Sequence, residues 1–196
     1  MRKRLFLLLL ASIGLHANAA PGADDALWQK LRGGDVAVLM RHAATVPGIG
    51  DPPGFVLAQC ATQRNLSERG REDARRIGAA FRQHGVTPGA VWSSRWCRCL
   101  DTARLAFGRV EPEPGLDSLF NTDEETTATQ LRGLRARLAT RRERTPLVLV
   151  THDVNIRALT GLSLAQGEMV LVQLRDGKLE PIGRLPVSLD ERSAAR

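Results

Sequence analysis

The sequence contains no tyrosine, and aromatic residues make up only 4% of it. Proteins that bind single-stranded nucleic acid interleave basic stripes with aromatic stacking platforms, so no nucleic-acid partner is expected. Cysteine is equally scarce: Cys60, Cys97 and Cys99 allow at most one internal disulfide. Cys97 and Cys99 are too close together for an easy bridge, which leaves Cys60 paired with one of them. The chain offers too few ligands at suitable spacing for a metal site, and no metal or other cofactor is expected. Internal repeats and low-complexity tracts are missing, although ten prolines and eighteen glycines are scattered along the chain.

What is present fits one globular domain. The 196 residues are 43% hydrophobic and 25% charged, enough for a real core and too short for two full-sized domains. Residues 1–20 read as a secretory signal peptide. Arg2, Lys3 and Arg4 precede a short apolar run from Leu5 to Leu15, and Ala17, Ala19 and Ala20 supply an A-x-A cleavage site. The expected mature domain is then residues 21–196, periplasmic or secreted, with no stable membrane insertion after cleavage. Without the three basic residues of the leader, 25 basic residues face 21 acidic ones, a net charge of about +4. A modest positive excess suits an anionic substrate without requiring one.

Two apolar runs, Val36 to Met40 and Leu147 to Val150, are continuous rather than alternating, as in strands covered on both faces. A short helix carrying Leu27 and Leu31, capped by Asp24 or Asp25, should precede the first run. One carrying Leu131, Leu134 and Leu138 should precede the second. Between the runs, Ser67 can cap a helix with Ala74, Ile77 and Phe81 on its buried side. Ala90 to Trp92 then reads as a short strand, followed by a helix with Leu100, Ala103 and Phe107, and Val154 to Leu162 reads as another helix. Asp176-Gly177, between Met169–Leu174 and Leu179–Leu185, signals a hairpin. The fold expected is α/β: three layers, a mostly parallel sheet with helices on both faces and an antiparallel edge hairpin. Residues 43–66, rich in Pro and Gly, read as a long loop of the kind that often carries function.

The chemistry gathers at the strand ends. The first long strand runs into Arg41-His42, the second into Thr151-His152, and the short strand into Ser93-Ser94, with Arg95 and Arg98 just beyond. Ligands bind at that edge of open α/β sheets. A single histidine at a strand end is most often a surface residue, but four such residues at matching ends make a pattern. Converging imidazoles and guanidiniums call for an anion, and a tetrahedral phosphate fits forked arginine donors and helix N-termini.

The same residues resemble the histidine phosphatase superfamily in its small branch. Leu39-Met40-Arg41-His42-Ala43 is similar to its RHG motif, with Ala43 where Gly is usual. Asn65-Leu66-Ser67-Glu68-Arg69-Gly70 resembles its L-[ST]-x-x-G segment. Ser93 to Ala103 resembles S-S-x-x-x-R-x-x-x-T-A, and Val148 to His152 resembles the strand bearing the second histidine. The resemblance implies that His42 attacks phosphorus and becomes a phosphohistidine, while Arg41, Arg98 and protonated His152 grip the other oxygens. The spacing of the family motif selects Arg98 over Arg95. Thr45 and Arg95 become candidate substrate contacts.

The proton donor for the leaving oxygen has two candidates. Asp117 lies in the stretch that resembles the one where small members of the family carry a Glu. Asp153 matches the His-Asp pair of the phytase-like branch, and its fixed place at a strand end favours it slightly. The expected substrate is a small phosphomonoester, an anionic metabolite or an envelope sugar phosphate, and the protein is expected to be monomeric or weakly associated. Two other readings stand beside hydrolysis: a non-catalytic binder of phosphorylated envelope glycans, and a phosphotransferase or mutase.

Overall fold

The computed structural model describes residues 22–34 and 36–187. The leader-like segment lies outside them.

Alternation within the continuous apolar strands generates the layers. In β1 (Val36–Arg41) the side chains of Val36, Val38 and Met40 enter one core, and those of Ala37 and Leu39 enter another. β4 (Leu147–Thr151) divides the same way, with Val148 and Val150 on the first face and Leu147 and Leu149 on the second. A strand apolar at every position therefore needs helices on both sides. On the first face lie α1 (Ala23–Arg32), α2 (Glu68–Gln83) and α3 (Cys97–Phe107), which contribute Trp28, Leu31, Ile77, Phe81, Cys99 and Ala103. On the second lie α4 (Glu124–Thr140) and α5 (Asp153–Thr160), through Leu134, Leu138 and Ile156.

The sheet has six strands. With β2 (Ala90–Ser93), β3 (Glu111–Pro112), β5 (Met169–Arg175) and β6 (Lys178–Leu185), its order is β3-β2-β4-β1-β5-β6. The pairs β3-β2, β2-β4 and β4-β1 are parallel. β5 pairs antiparallel with both β1 and β6, closing the hairpin that Asp176-Gly177 announces. Asp176 and Gly177 take φ of 50° and 73°, the left-handed pair such a turn requires. The fold is thus mostly parallel with antiparallel strands at one edge.

One local expectation differs, and two details go beyond the sequence signals. α1 begins after Gly22 with no side-chain cap, and Asp24 and Asp25 sit inside its first turn, where they complement the helix dipole instead. β3 is two residues long and has no periodic signal to betray it. The loop of residues 43–66 contains one bridge, Thr45 with Leu66, and a 3-10 turn at Cys60–Thr62. Cys60 is bridged to Cys97, tying that loop to the first residue of α3, while Cys99 remains free and buried.

Register brings the three strand ends to one edge. Arg41 faces Thr151, so His42 and His152 emerge level, and Ser93 faces Val150, which sets Ser94 beside Thr151, one residue before them. The start of α2 then braces the turn after His42. Ser67 caps α2 through Gly70 N–H, and its own amide donates to the Ala44 carbonyl at 3.0 Å. A methyl on Gly70 would lie 1.8 Å from that same carbonyl oxygen, so only glycine permits the approach.

Candidate active site

His42 is 2% exposed. Its Nδ1 lies 2.9 Å from the Ala43 carbonyl, an atom that can only accept. The ring proton is therefore on Nδ1, and Nε2 keeps its lone pair. Burial, with the charges of Arg98, Arg41 and Arg64, lowers the His42 pKa to about 3 against the pull of the Ala43 hydrogen bond, so the ring is neutral at neutral pH. A buried, neutral imidazole with one nitrogen anchored and the other unpaired is a nucleophile in waiting.

The ring of His152 lies 5.5 Å from that of His42, centroid to centroid. Its Nε2 is 2.9 Å from Ser94 Oγ and 3.5 Å from the Cys99 thiol. The Ser94 hydroxyl also donates to Asp117 Oδ1 at 3.5 Å, so it joins the His152 ring to that carboxylate. Burial, then His42, Arg98, Arg41 and Arg64, hold His152 well below its ordinary pKa. In the anion-free site His152 is thus a neutral donor rather than the cation that the resemblance implies.

Both flanking arginines are anchored by their outer nitrogens. Arg41 donates from Nη1 to the Leu164 carbonyl at 2.8 Å. Arg98, 4% exposed, donates from Nη1 and Nη2 to the two oxygens of Asp51 at 2.7 and 3.2 Å. The Nε of each is buried without a hydrogen-bond partner. A buried N–H left unpaired costs roughly 1–3 kcal/mol, and two of them on neighbouring guanidiniums define a place for an anion's oxygens.

Two residues of this site carry no signal in the sequence. Asp51 accepts from Arg98, from the Arg64 amide at 2.9 Å and from Trp96 Nε1 at 2.8 Å. Burial alone would raise its pKa, but these donors outweigh it and hold the carboxyl below its ordinary value. Arg64 is the third guanidinium that acts on both imidazoles. It donates from Nε to the Gly50 carbonyl and from Nη1 to Thr45 Oγ1. Both residues sit in a loop without periodicity, where only contacts reveal a role.

The remaining candidates fall outside this cluster. Thr45 meets it through Arg64 and accepts from Gln166 Nε2 at 3.1 Å. Arg95 is paired with Asp117, giving its amide to Oδ1 at 2.8 Å and its Nε to Oδ2 at 2.6 Å. Asp117 is buried, and Ser94 links it to His152. Asp153 accepts from the Ser163 hydroxyl and the Leu164 amide at Oδ1, and from Arg157 at Oδ2. Those bonds and the charge of Arg41 overcome the effect of burial and hold its carboxyl below the ordinary range. Ala43, the departure from the family motif, is not among the positive-φ residues, and its methyl packs with Leu66 and Ala74. Its amide donates to Thr102 Oγ1 at 3.0 Å, so the alanine fits without strain.

Residues 37–130, from β1 into α4, match the family model described as the histidine phosphatase superfamily (branch 1). Among solved structures, the chain is similar to a putative alpha-ribazole-5'-P phosphatase from Escherichia coli str. K-12 substr. MG1655, with 18% identity, 79% of this chain and 97% of that one covered, and a TM-score of 0.59. It is similar to the open reading frame Rv3214 product of Mycobacterium tuberculosis, with 16% identity, 78% and 97% covered, and a TM-score of 0.58. It is also similar to the protein histidine phosphatase SixA complexed with tungstate, with 15% identity, 79% and 97% covered, and a TM-score of 0.53. At these identities the likeness is one of fold. No curated protein matches the chain significantly.

Proposed function

We propose that the chain, whose residues 37–130 match the family model of the histidine phosphatase superfamily, hydrolyses phosphomonoesters through a phosphohistidine on His42. The observation that carries this reading is the unpaired Nε2 of a neutral, buried His42 beside the unpartnered Nε atoms of Arg41 and Arg98. Phosphate oxygens accept from those two Nε atoms and from the His152 ring. His42 Nε2 attacks phosphorus, the ester P–O bond breaks, and the Ala43 carbonyl steadies the ring as it becomes cationic. Water then attacks phosphorus, the P–N bond breaks, and inorganic phosphate leaves.

Both oxygens of each aspartate are engaged, but Asp117 is the better-placed donor for the leaving oxygen, because Ser94 joins it to His152. Asp117 is itself paired with Arg95, a state that favours leaving groups needing little proton assistance. Export to the periplasm or beyond is part of the proposal. It is supported by the leader-like residues 1–20 and by the Cys60–Cys97 bridge, which suits an oxidising compartment. The substrate is then a small anionic phosphomonoester of the envelope.

Incubation of the purified protein with an aryl phosphate, with and without chelator, tests the reading. Wild type should release phosphate at the same rate in both, and His42→Ala should release none above background. Equal turnover by the variant would end the proposal.

A further inference from the structure

The described residues include six exposed large hydrophobic side chains, and five of them lie on or against the loop of residues 43–66. Val46, Ile49, Phe55 and Val56 belong to the loop itself. Phe120 stands against Gly50, its ring edge 3.3 Å from where a side chain on that glycine would begin. Ile49 is 92% exposed, so the fold itself makes no use of it.

This apolar rim borders the candidate phosphate site. Asp51, between Ile49 and Phe55, is the residue that holds Arg98. Phe55 packs against Trp96 at 5.9 Å between ring centroids, and the other neighbour of Trp96 is the catalytic-site ring of His152 at 5.6 Å. The loop is pinned at Asp51, at Arg64 and by the Cys60–Cys97 bridge, so the apolar groups are presented on a fixed frame.

We infer that this rim receives an apolar leaving group, which makes the preferred substrate an amphiphilic phosphomonoester with an alkyl or aryl chain directly beyond the ester oxygen. The inference rests on the phosphatase reading of His42. In-line attack by His42 Nε2 sets the leaving oxygen on the side of phosphorus opposite the ring. A group on that oxygen must lie outside the cationic cluster, and this rim meets the cluster through Asp51 and through the Phe55, Trp96 and His152 ring contacts. A sugar ring there would leave its hydroxyls against Ile49 and Phe120 with no polar partner, whereas a hydrocarbon chain removes apolar surface from water on both sides.

A series of 4-alkylphenyl phosphates tests this, because the alkyl length changes while the leaving-group acidity does not. With the full chain, kcat/KM should rise roughly twofold per methylene on a half-covered surface, about thirtyfold from methyl to hexyl. Ile49→Ser combined with Phe120→Ser should flatten the series while leaving the inhibition constant of inorganic phosphate unchanged. n-Alkyl phosphonates inhibiting wild type provide a variant-free measure, and their inhibition constants should fall with chain length. Turnover without any chain-length dependence overturns the rim and spares the phosphatase reading. Phosphonate affinity that grows with length, without turnover of any ester, sinks the phosphatase reading and spares the rim. Binding of the wild type to anionic phospholipid vesicles with a flat alkyl series would assign these side chains to a membrane surface and overturn the inference.

Discussion

In the proposed mechanism His42 owes its nucleophilic form to two local facts, burial and a carbonyl one residue away. The carbonyl of Ala43 selects the tautomer, and burial among three guanidiniums removes the competing proton. The His42 imidazole should therefore keep the nitrogen chemical shifts of the neutral, Nδ1-protonated ring from pH 8 down to pH 5 in NMR of the anion-free protein. A titration midpoint near 6.5 would contradict the burial argument. Stability follows the same sign: the unfolded ring gains its proton near pH 6.5 and the folded ring only near pH 3, so this residue's contribution is lost as pH falls through that window. The two aspartates separate by partner. Asp117→Asn should slow alkyl phosphates more than aryl phosphates, since weaker leaving groups need the proton more, whereas Asp153→Asn should lower stability and leave that ratio unchanged. Steady-state kinetics on matched aryl and alkyl esters measure both.

Among the elements, α2 does the most for the site while contributing none of its catalytic groups. Its first turn presses Gly70 and Ser67 onto the Ala44 carbonyl and so holds the turn that orients His42. Gly70→Ala forces a methyl into that carbonyl and should cost about 1–3 kcal/mol in denaturant unfolding, with a fall in kcat larger than any change in KM. Unaltered kcat in a folded Gly70→Ala protein would show that the brace is structural only. Much at this scale is legible in the sequence. The Ser67 cap, the Leu131, Leu134 and Leu138 stripe and the Asp176-Gly177 turn are short-range signals, and the continuous strands announce helices on both faces. The strand ends likewise place Arg41, His42 and His152 together. Asp51 and Arg64 escape because a loop side chain gains its role from a partner distant in sequence, 47 residues in the case of Asp51 and Arg98. The cap of α1 fails for the opposite reason: two adjacent acidic residues satisfy the same local rule, and the helix starts two or three residues earlier than the rule suggests.

At the scale of the whole molecule, one covalent link joins the loop that steadies Arg98 to the helix that bears it. The bridge spans 37 residues, and removing it with Cys60→Ser and Cys97→Ser should cost about 3–4 kcal/mol on the chain-entropy estimate. Thermal and denaturant melts of the double variant measure that cost. Inhibition by inorganic phosphate should weaken in parallel, because Asp51 loses the frame that keeps it on Arg98. A variant that binds phosphate as tightly as wild type would separate the bridge from the site. The link also bears on the order of events in the life of the protein. A newly made chain whose thiols are still reduced lacks the brace on its anion cage, so in an exported protein full competence arrives only after oxidation. Such a delay works as a safety catch, sparing the phosphorylated metabolites of the compartment where the chain is synthesised.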